Sequence, residues 1–174
     1  AKAGRLLSRP DWCDEVHYQF SLHAQFLIEP ASGLWRHGWH FAERHHFAGA
    51  LWGRGNGWAA LTAVELLEIL SEPGPAQRLL LQNYRRHCRA LLATQSGNGM
   101  WHTLLDDPTS YQEASATAAM AYALLKGVRL GLLDASYREA GIHALSAVLQ
   151  RINPDGELAD ASSGTPVFKT LHEY

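Results

Sequence analysis

The 174-residue sequence contains few cysteines and no excess of positive charge, and each shortage excludes a class of protein. Its two cysteines, Cys13 and Cys88, are far apart and form no C-x-x-C pair, so a disulfide framework is excluded and a reducing compartment fits best. Lysine and arginine together number 15, against 17 aspartate and glutamate residues. This balance offers no attraction to a phosphate backbone, so a nucleic-acid partner is not expected.

Long apolar runs are also missing. No stretch reaches the ~18 apolar residues that a membrane-spanning helix needs, and residues 1–5 lack the apolar core of a signal peptide. The sequence therefore predicts no membrane partner and a cytoplasmic location. Its length suits a single domain with a substantial core.

What the sequence does have is a concentration of Trp, His and Gly. Residues 33–58 include four of the six Trp and four of the ten His, with Arg54 between two Gly residues. Trp offers a flat apolar face, Arg a planar fork for a carboxylate, and Gly a close approach of the backbone. The combination predicts one wall of a pocket that binds a polar ring. Alternatively, each Trp packs in the core at a helix–loop junction, a structural role that suits Arg54 less well.

Apolar spacing predicts five helices separated by turns rich in Gly and Pro. Their expected ranges are 11–28, 56–70, 76–94, 114–126 and, after a cap at Asp134 or Ser136, up to about 151. Asn56 is expected to cap the second helix, and Gly127 to break the fourth. The buried faces of the third and fifth helices are predicted to consist of Leu80, Tyr84, Cys88, Leu91 and of Tyr137, Leu145, Val148, Leu149.

A turn followed by a short extended segment recurs along the chain, at Gly33-Leu34-Trp35, Gly99-Met100-Trp101 and Gly156-Glu157-Leu158. Between the copies lie a mostly buried helix and an outer amphipathic one, which is typical of repeated helical hairpins. The expected fold is all-α, with two concentric rings of helices in an α/α toroid and the Trp- and His-bearing loops at one mouth. Fewer than three complete hairpins cannot close such a ring, so the 174 residues are expected to be part of a domain.

The histidines and one glutamate raise further hypotheses. His37, His40, His45 and His46, together with Glu43, suggest a zinc site, but their spacing matches no zinc pattern and no metal is expected. Histidine titrates near neutral pH, so His37 or His40 could be an acid–base group or a hydrogen-bond partner in a sugar pocket. Glu113, just before an Ala-rich helix, is either a first-turn carboxylate favoured by the helix dipole or a pocket acid.

Four segments of the sequence together resemble a known family. They are Gly33–Trp39, Trp52–Trp58, Gly99–His102 with Leu105–Asp107, and Ser110–Ala116 with Lys126-Gly127. In this order, and over nearly the whole chain, they resemble the unsaturated glucuronyl and rhamnogalacturonyl hydrolases of glycoside hydrolase families 88 and 105. The Arg-Gly-Asn-Gly-Trp run from Arg54 to Trp58 is a specific signal.

The resemblance implies a six-hairpin α/α barrel, a cytoplasmic enzyme with no cofactor, and an oligosaccharide substrate left by a polysaccharide lyase. That substrate carries a 4,5-unsaturated uronic acid at its non-reducing end. In the family an Asp protonates the sugar double bond and helps water to add at the next carbon, and the resulting hemiketal opens and expels the neighbouring sugar. Arg54 and Trp58 match the family positions for the uronate carboxylate and the ring, and His37 matches a pocket histidine. The residues expected to bind substrate are His37, Trp39, His40, Arg54, Trp58, His102 and Glu113.

The sequence departs from the family in two respects. The family's catalytic Asp lies ahead of the helix that precedes the Gly-Leu-Trp motif, so it is expected upstream of Ala1, and residues 1–174 alone are expected to be inactive. His40 stands where the family often has an acidic residue. Two alternative hypotheses follow from these departures. One is a carbohydrate-binding or degenerate toroid without catalysis, and the other is a toroid lyase or glucuronidase that uses His40 as a base.

Overall fold

The computed structural model describes all 174 residues and is built from helices. The α-helices are α1 (Lys2–Leu6), α2 (Pro10–Leu27), α3 (Gly53–Ile69), α4 (Pro75–Ala93), α5 (Ala114–Arg129) and α6 (Tyr137–Leu149). A short 3-10 helix, Leu171–Glu173, follows near the end. The all-α prediction is confirmed. None of these helices is long and apolar enough to cross a membrane.

Helices α3 and α5 form the inner layer, as predicted, and pack against each other. Both helices bury small residues completely, including Ala60, Ala116 and Ala123. Small side chains let two helices approach closely. At Gly57 the approach is so close that an added Cβ would lie 3.1 Å from the Cβ of Ala119.

Helices α4 and α6 pack outside the inner pair, α4 against α3 and α6 against α5. The predicted buried stripe of α4 is confirmed, because Leu80, Tyr84, Cys88 and Leu91 are all at most 2% exposed. The opposite face of α4, which carries four arginines, is exposed to solvent.

The prediction for the buried face of α6 is wrong for two leucines. Leu145 and Leu149 are 42% and 57% exposed, whereas Ala144 and Ala147 face the core. The reason is the close packing of α6 on α5: a Cβ at Gly141 would lie 2.8 Å from the side chain of Leu125. The small residues of α6 allow this contact, and the larger ones are turned outward.

The predicted boundaries of α3 and α5 also need correction. Helix α3 begins at Gly53, so Asn56 is not its cap but its fourth residue. The Asn56 side chain is fully buried and accepts the backbone N–H of Trp35 at 2.7 Å, while its amide donates to the carbonyls of Trp35 and Trp52. Gly127 does not break α5, which continues to Arg129.

The predicted repeated turn is confirmed. Gly33, Gly99 and Gly156 each have φ between 84° and 89°, a conformation that favours glycine. In each copy a backbone N–H at the start of the turn donates to the carbonyl of the residue after the glycine, at 2.7, 2.9 and 3.0 Å. The extended segments that follow form only isolated bridges, such as Ile28 with Trp35 and Ile152 with Leu158, and not strands.

The repeat extends into the inner helices. The backbone N–H of Trp35 donates to Asn56, the fourth residue of α3, and the N–H of Trp101 donates to Thr117, the fourth residue of α5, at 3.1 Å. We call these two places the α3 junction and the α5 junction. Asn56 and Thr117 are therefore equivalent positions of the repeat. By the same alignment, Arg54 is equivalent to Ser115, and Trp58 to Ala119. Two residues after the aligned Trp, His37 is equivalent to Thr103.

Candidate functional site

The first residues of α3 and α5 are each bonded to a loop that follows later in the chain. The backbone N–H of Gly53 donates to the carbonyl of Thr103 at 2.8 Å, and that of Ala114 donates to the carbonyl of Asp160 at 2.8 Å. The second of these bonds brings in residues 160–174, which we call the strap. The loops and the strap together bring two of the predicted site residues, Arg54 and His37, close to Trp52.

Arg54, the second residue of α3, is held by the strap. Its Nη2 donates to the carbonyls of Ser162 and Ser163, both at 2.9 Å, and the guanidinium lies 5.2 Å from the ring centre of Trp52. Its Nε is buried and bonds no protein group, and neither does the buried Nε1 of Trp52. Arg54 forms no ion pair, unlike Arg151, which pairs with Asp160 at 3.0 Å. The fold therefore fixes a positive charge at the start of α3 without an ion-pair partner.

His37 also packs on Trp52. The two ring centres are 4.1 Å apart, and Nδ1 of His37 is 2.6 Å from the hydroxyl of Tyr174 in the strap. Burial lowers the pKa of His37 from its ordinary value, so the imidazole is neutral near pH 7. Trp52 thus joins a fixed cation and a neutral histidine in one cluster, which we call the His37–Arg54 cluster: His37, Trp52, Arg54 and Tyr174.

Trp58 follows Arg54 by one helical turn and is 60% exposed. It borders an apolar groove of about 470 Å³ between α2 and α3, together with Phe20 and Trp35. Neither Arg54 nor His37 lines this groove. The polar and charged side chains are therefore gathered in the His37–Arg54 cluster, while Trp58 lines the apolar groove.

Trp39 and His40 lie in a neighbouring aromatic cluster. Trp39 stacks on Phe26 with ring centres 5.5 Å apart, and His40 stacks on His45 at 5.3 Å. The loop that carries them reaches the strap, since the backbone N–H of Ala48 donates to the carbonyl of Phe168 at 3.1 Å. No contact joins Trp39 or His40 directly to Arg54.

Ligand atoms of His40, Glu43 and His45 lie within 4.8 Å of one another, a spacing that a metal ion could bridge. However, backbone N–H groups of Glu43 and Phe47 donate to Nδ1 of His40 and His45, at 3.0 and 2.9 Å. Each neutral ring therefore carries its proton on Nε2, and the Nε2 of His45 lies 2.7 Å from the Glu43 carboxylate. Backbone N–H groups thus occupy the Nδ1 lone pair of both rings, and the Nε2 of His45 is bonded to Glu43.

Glu113 is fully buried at the start of α5 and acts as its N-cap. Its carboxylate accepts the backbone N–H of Ala116 at 2.5 Å, the hydroxyl of Ser115 at 2.8 Å and the backbone N–H of Ser162 at 2.9 Å. Because the carbonyl of Ser162 in turn holds Arg54, Glu113 is connected to the cation through one strap residue. Its position is behind the site rather than in it.

His102 packs against Gly53, the first residue of α3. Its Nδ1 donates to the carbonyl of Ser110 at 2.5 Å, and its own carbonyl would lie 2.6 Å from a Cβ at position 53. Only glycine fits at Gly53, so this packing fixes where α3 begins and hence where Arg54 is placed.

Several residues of the site were not assigned from the sequence. Ser162, Ser163 and Tyr174 contact Arg54 or His37 across 108, 109 and 137 residues of chain. The strap has no periodicity or motif that would have signalled these contacts. His87 is a further buried residue that was missed: it contacts Asn56 at 3.0 Å, and burial lowers its pKa to about 3.

The family model described as Glycosyl Hydrolase Family 88 matches residues 1–174. The chain is 35% identical over 173 residues to the unsaturated rhamnogalacturonyl hydrolase YesR of Bacillus subtilis, covering 99% of this chain and 48% of that protein. It is 28% identical to an unsaturated 3S-rhamnoglycuronyl hydrolase of Alteromonas, covering 91% of this chain and 40% of that protein.

Solved structures agree with these relatives. A possible member of the GH105 family from Salmonella enterica superposes with a TM-score of 0.96 at 42% identity, covering 99% of this chain and 46% of that one. A possible GH105 member from Klebsiella pneumoniae gives 0.95 at 42% identity, covering 98% and 45%. The chain therefore spans about half the length of the curated relatives and structures that it matches.

Proposed function

Because the chain belongs to glycosyl hydrolase family 88, we propose that its protein removes a 4,5-unsaturated uronic acid from the non-reducing end of oligosaccharides produced by polysaccharide lyases. The observation that carries the proposal is the unpaired Arg54, held at the start of α3 by two strap carbonyls. Its relative from Bacillus subtilis, an unsaturated rhamnogalacturonyl hydrolase, supports the substrate class.

Each residue of the site has a proposed role. Arg54 binds the uronate carboxylate, and Trp52 contributes an apolar wall that both Arg54 and His37 contact. His37 donates a hydrogen bond to the bound sugar. Trp58 stacks on the sugar from the edge of the site, and Trp39 and His40 contact the more distant part of the oligosaccharide. Glu113 and His102 position the strap and the start of α3.

The chemistry needs a proton donor in addition to these groups. Protonation of the double bond and addition of water at the next carbon give a hemiketal, which opens and releases the neighbouring sugar. Glu113 is unsuited to be the donor, because it is fully buried and its oxygens already accept three strong hydrogen bonds. We therefore propose that an Asp outside residues 1–174 donates the proton, and that the 174 residues supply the carboxylate-binding half of the site. A cytoplasmic location is part of the proposal, supported by the two free cysteines.

The test follows the ultraviolet absorbance of the conjugated double bond in an unsaturated uronyl disaccharide. Residues 1–174 are compared with a longer protein that includes the preceding sequence, and with the same longer protein carrying Arg54→Ala. We expect only the longer protein with Arg54 to consume the double bond efficiently. Folded proteins that bind the sugar but leave the double bond intact would favour the non-catalytic carbohydrate-binding alternative and refute the hydrolase.

A further inference from the structure

The hydroxyl of Tyr174 occupies a defined place between the strap and His37. It lies 2.6 Å from Nδ1 of His37, and the backbone N–H of Phe168 donates to its oxygen at 3.3 Å. The ring packs edge-on against Phe168, with ring centres 5.2 Å apart. Two elements of the strap thus hold the hydroxyl against one nitrogen of the histidine.

The hydrogen bonds determine where the protons are. A hydroxyl has a single proton to donate. The N–H of Phe168 is a donor, so Nδ1 of His37 is the only acceptor that the hydroxyl contacts, and the hydroxyl proton is directed to it. Burial raises the pKa of Tyr174 and lowers that of His37, so both groups are neutral near pH 7. A neutral imidazole that accepts at Nδ1 carries its proton on Nε2.

We propose that Tyr174 is a positioning residue that holds His37 in the Nε2–H tautomer, so that His37 presents a hydrogen-bond donor to the ligand. The proposal rests on the proposed function for the identity of the ligand. An Nε2–H group suits an acceptor oxygen of the uronate, either a hydroxyl or the carboxylate. The same tautomer cannot take a proton from water through Nε2, so His37 is not a general base in this site.

Tyr174→Phe removes the hydroxyl and keeps the ring that packs on Phe168. Without the hydroxyl, Nδ1 has no donor, and the ring is free to exchange between its two neutral tautomers. We expect affinity for an unsaturated uronyl disaccharide to fall roughly threefold to tenfold, the size of one lost hydrogen bond. Tyr18→Phe is the matched control, since Tyr18 lies on α2 and is 60% exposed.

The direct readout is long-range proton–nitrogen correlation NMR of the histidine rings without ligand, with His37→Gln used to assign the signals. The expected result is a single Nε2–H tautomer for His37 in the unmodified protein and in Tyr18→Phe, and a mixture in Tyr174→Phe. A proton on Nδ1 in the unmodified protein overturns the proposal, whether or not any variant folds. An unchanged tautomer in a folded Tyr174→Phe also overturns it.

The tautomer measurement needs no substrate, so it is separate from the test of the proposed function. If Arg54→Ala leaves uronate binding unchanged while His37 behaves as expected, the uronate assignment fails and the role of Tyr174 toward His37 stands.

Discussion

The α3 junction and the α5 junction share a backbone arrangement but differ in the side chains that they present. At each, a Trp backbone N–H is bound by the fourth residue of the inner helix, Asn56 or Thr117. At the α5 junction the remaining positions are small: Thr103, Ser115 and Ala119. At the α3 junction the equivalent positions are His37, Arg54 and Trp58. The hairpin repeat is a structural unit, and the side chains suited to a ligand are concentrated in one copy.

The two helix starts differ in charge as well. The carboxylate of Glu113 caps α5 and satisfies its positive end. No side chain caps α3, where Trp52 takes the position of Glu113 and Arg54 adds a positive charge. The α5 junction therefore contains its own anion, whereas the α3 junction contains a cation without an ion-pair partner.

The largest expected effect is a loss of stability when Asn56 or Thr117, the buried residues that bind the Trp backbone N–H groups, is replaced. Asn56→Ala leaves the N–H and the carbonyl of Trp35 and the ring nitrogen of His87 without their partner, so we expect it to lower the free energy of unfolding by about 3 kcal/mol or more. Thr117→Ala removes the partner of one N–H, and we expect a loss of about 1–2 kcal/mol. Urea unfolding of both variants measures the difference. Equal losses would show that the two residues are energetically interchangeable.

The next prediction concerns binding. We expect Arg54→Ala in the complete protein to weaken affinity for an unsaturated uronate by about 2–3 kcal/mol, the value of a charge-assisted hydrogen-bonded pair. Ser115→Ala, at the equivalent position of the α5 junction, should leave affinity unchanged. Arg89→Ala, on the exposed face of α4, controls for a general loss of positive charge. Titration calorimetry measures all three, and an equal loss in Arg89→Ala would point to non-specific attraction.

A pH dependence also distinguishes the two junctions, because only Asn56 contacts a buried histidine. Burial lowers the pKa of His87 from 6.5 to about 3, so below pH 6.5 the unfolded chain binds a proton that the folded chain does not. Stability therefore falls as the pH is lowered, with a slope from His87 of at most about 1.4 kcal/mol per pH unit. The burial of His37 contributes in the same direction.

Unfolding measured between pH 6.5 and pH 4.5, above the range in which Glu65 titrates, isolates the histidines. Glu65, whose pKa is lowered to about 2 by its bonds to Lys126 and Tyr122, loses its contribution only below its ordinary value of 4.5. His87→Gln should reduce the slope, and an unaltered slope would mean that His87 is not the group responsible.

The smallest effect is expected at the edge of the site. Trp58 is 60% exposed, so Trp58→Ala should change the free energy of unfolding by less than about 1 kcal/mol. It should weaken binding of the disaccharide by about 1 kcal/mol through loss of the stacking surface. Trp12→Ala, on α2 and 41% exposed, serves as the control that should leave binding unchanged. A large loss of stability in Trp58→Ala would assign this residue to the core instead.

The sequence predicted the helices and the repeat well because their signals are local. The stripe of α4 and the positive-φ glycines at 33, 99 and 156 follow from residues close together in the chain. The exposure of Leu145 and Leu149 on α6 does not follow from nearby residues in this way. The close approach of α6 to α5 at Gly141 decides which face of α6 is buried.

The site was predictable only in part. His37 and Arg54 were proposed as site residues from the sequence because they lie in one Gly-rich run with Trp52. Their partners in the strap, such as Ser162 and Tyr174, could not be assigned from the sequence, because a contact across 108 residues or more leaves no local pattern. Asn56 was assigned to a helix cap because Asn is common there, but the helix begins earlier and buries it.

The proposed role of Arg54 at the α3 junction is to bind the carboxylate of the uronate. A binding cycle tests this role, with the unsaturated uronyl disaccharide and its neutral methyl ester each titrated into the complete protein and its Arg54→Ala variant. If Arg54 contacts the carboxylate, each change alone weakens binding and the two together weaken it no more than either one, since both remove the same interaction. Fully additive losses would contradict the account, because the carboxylate would then be bound by another group.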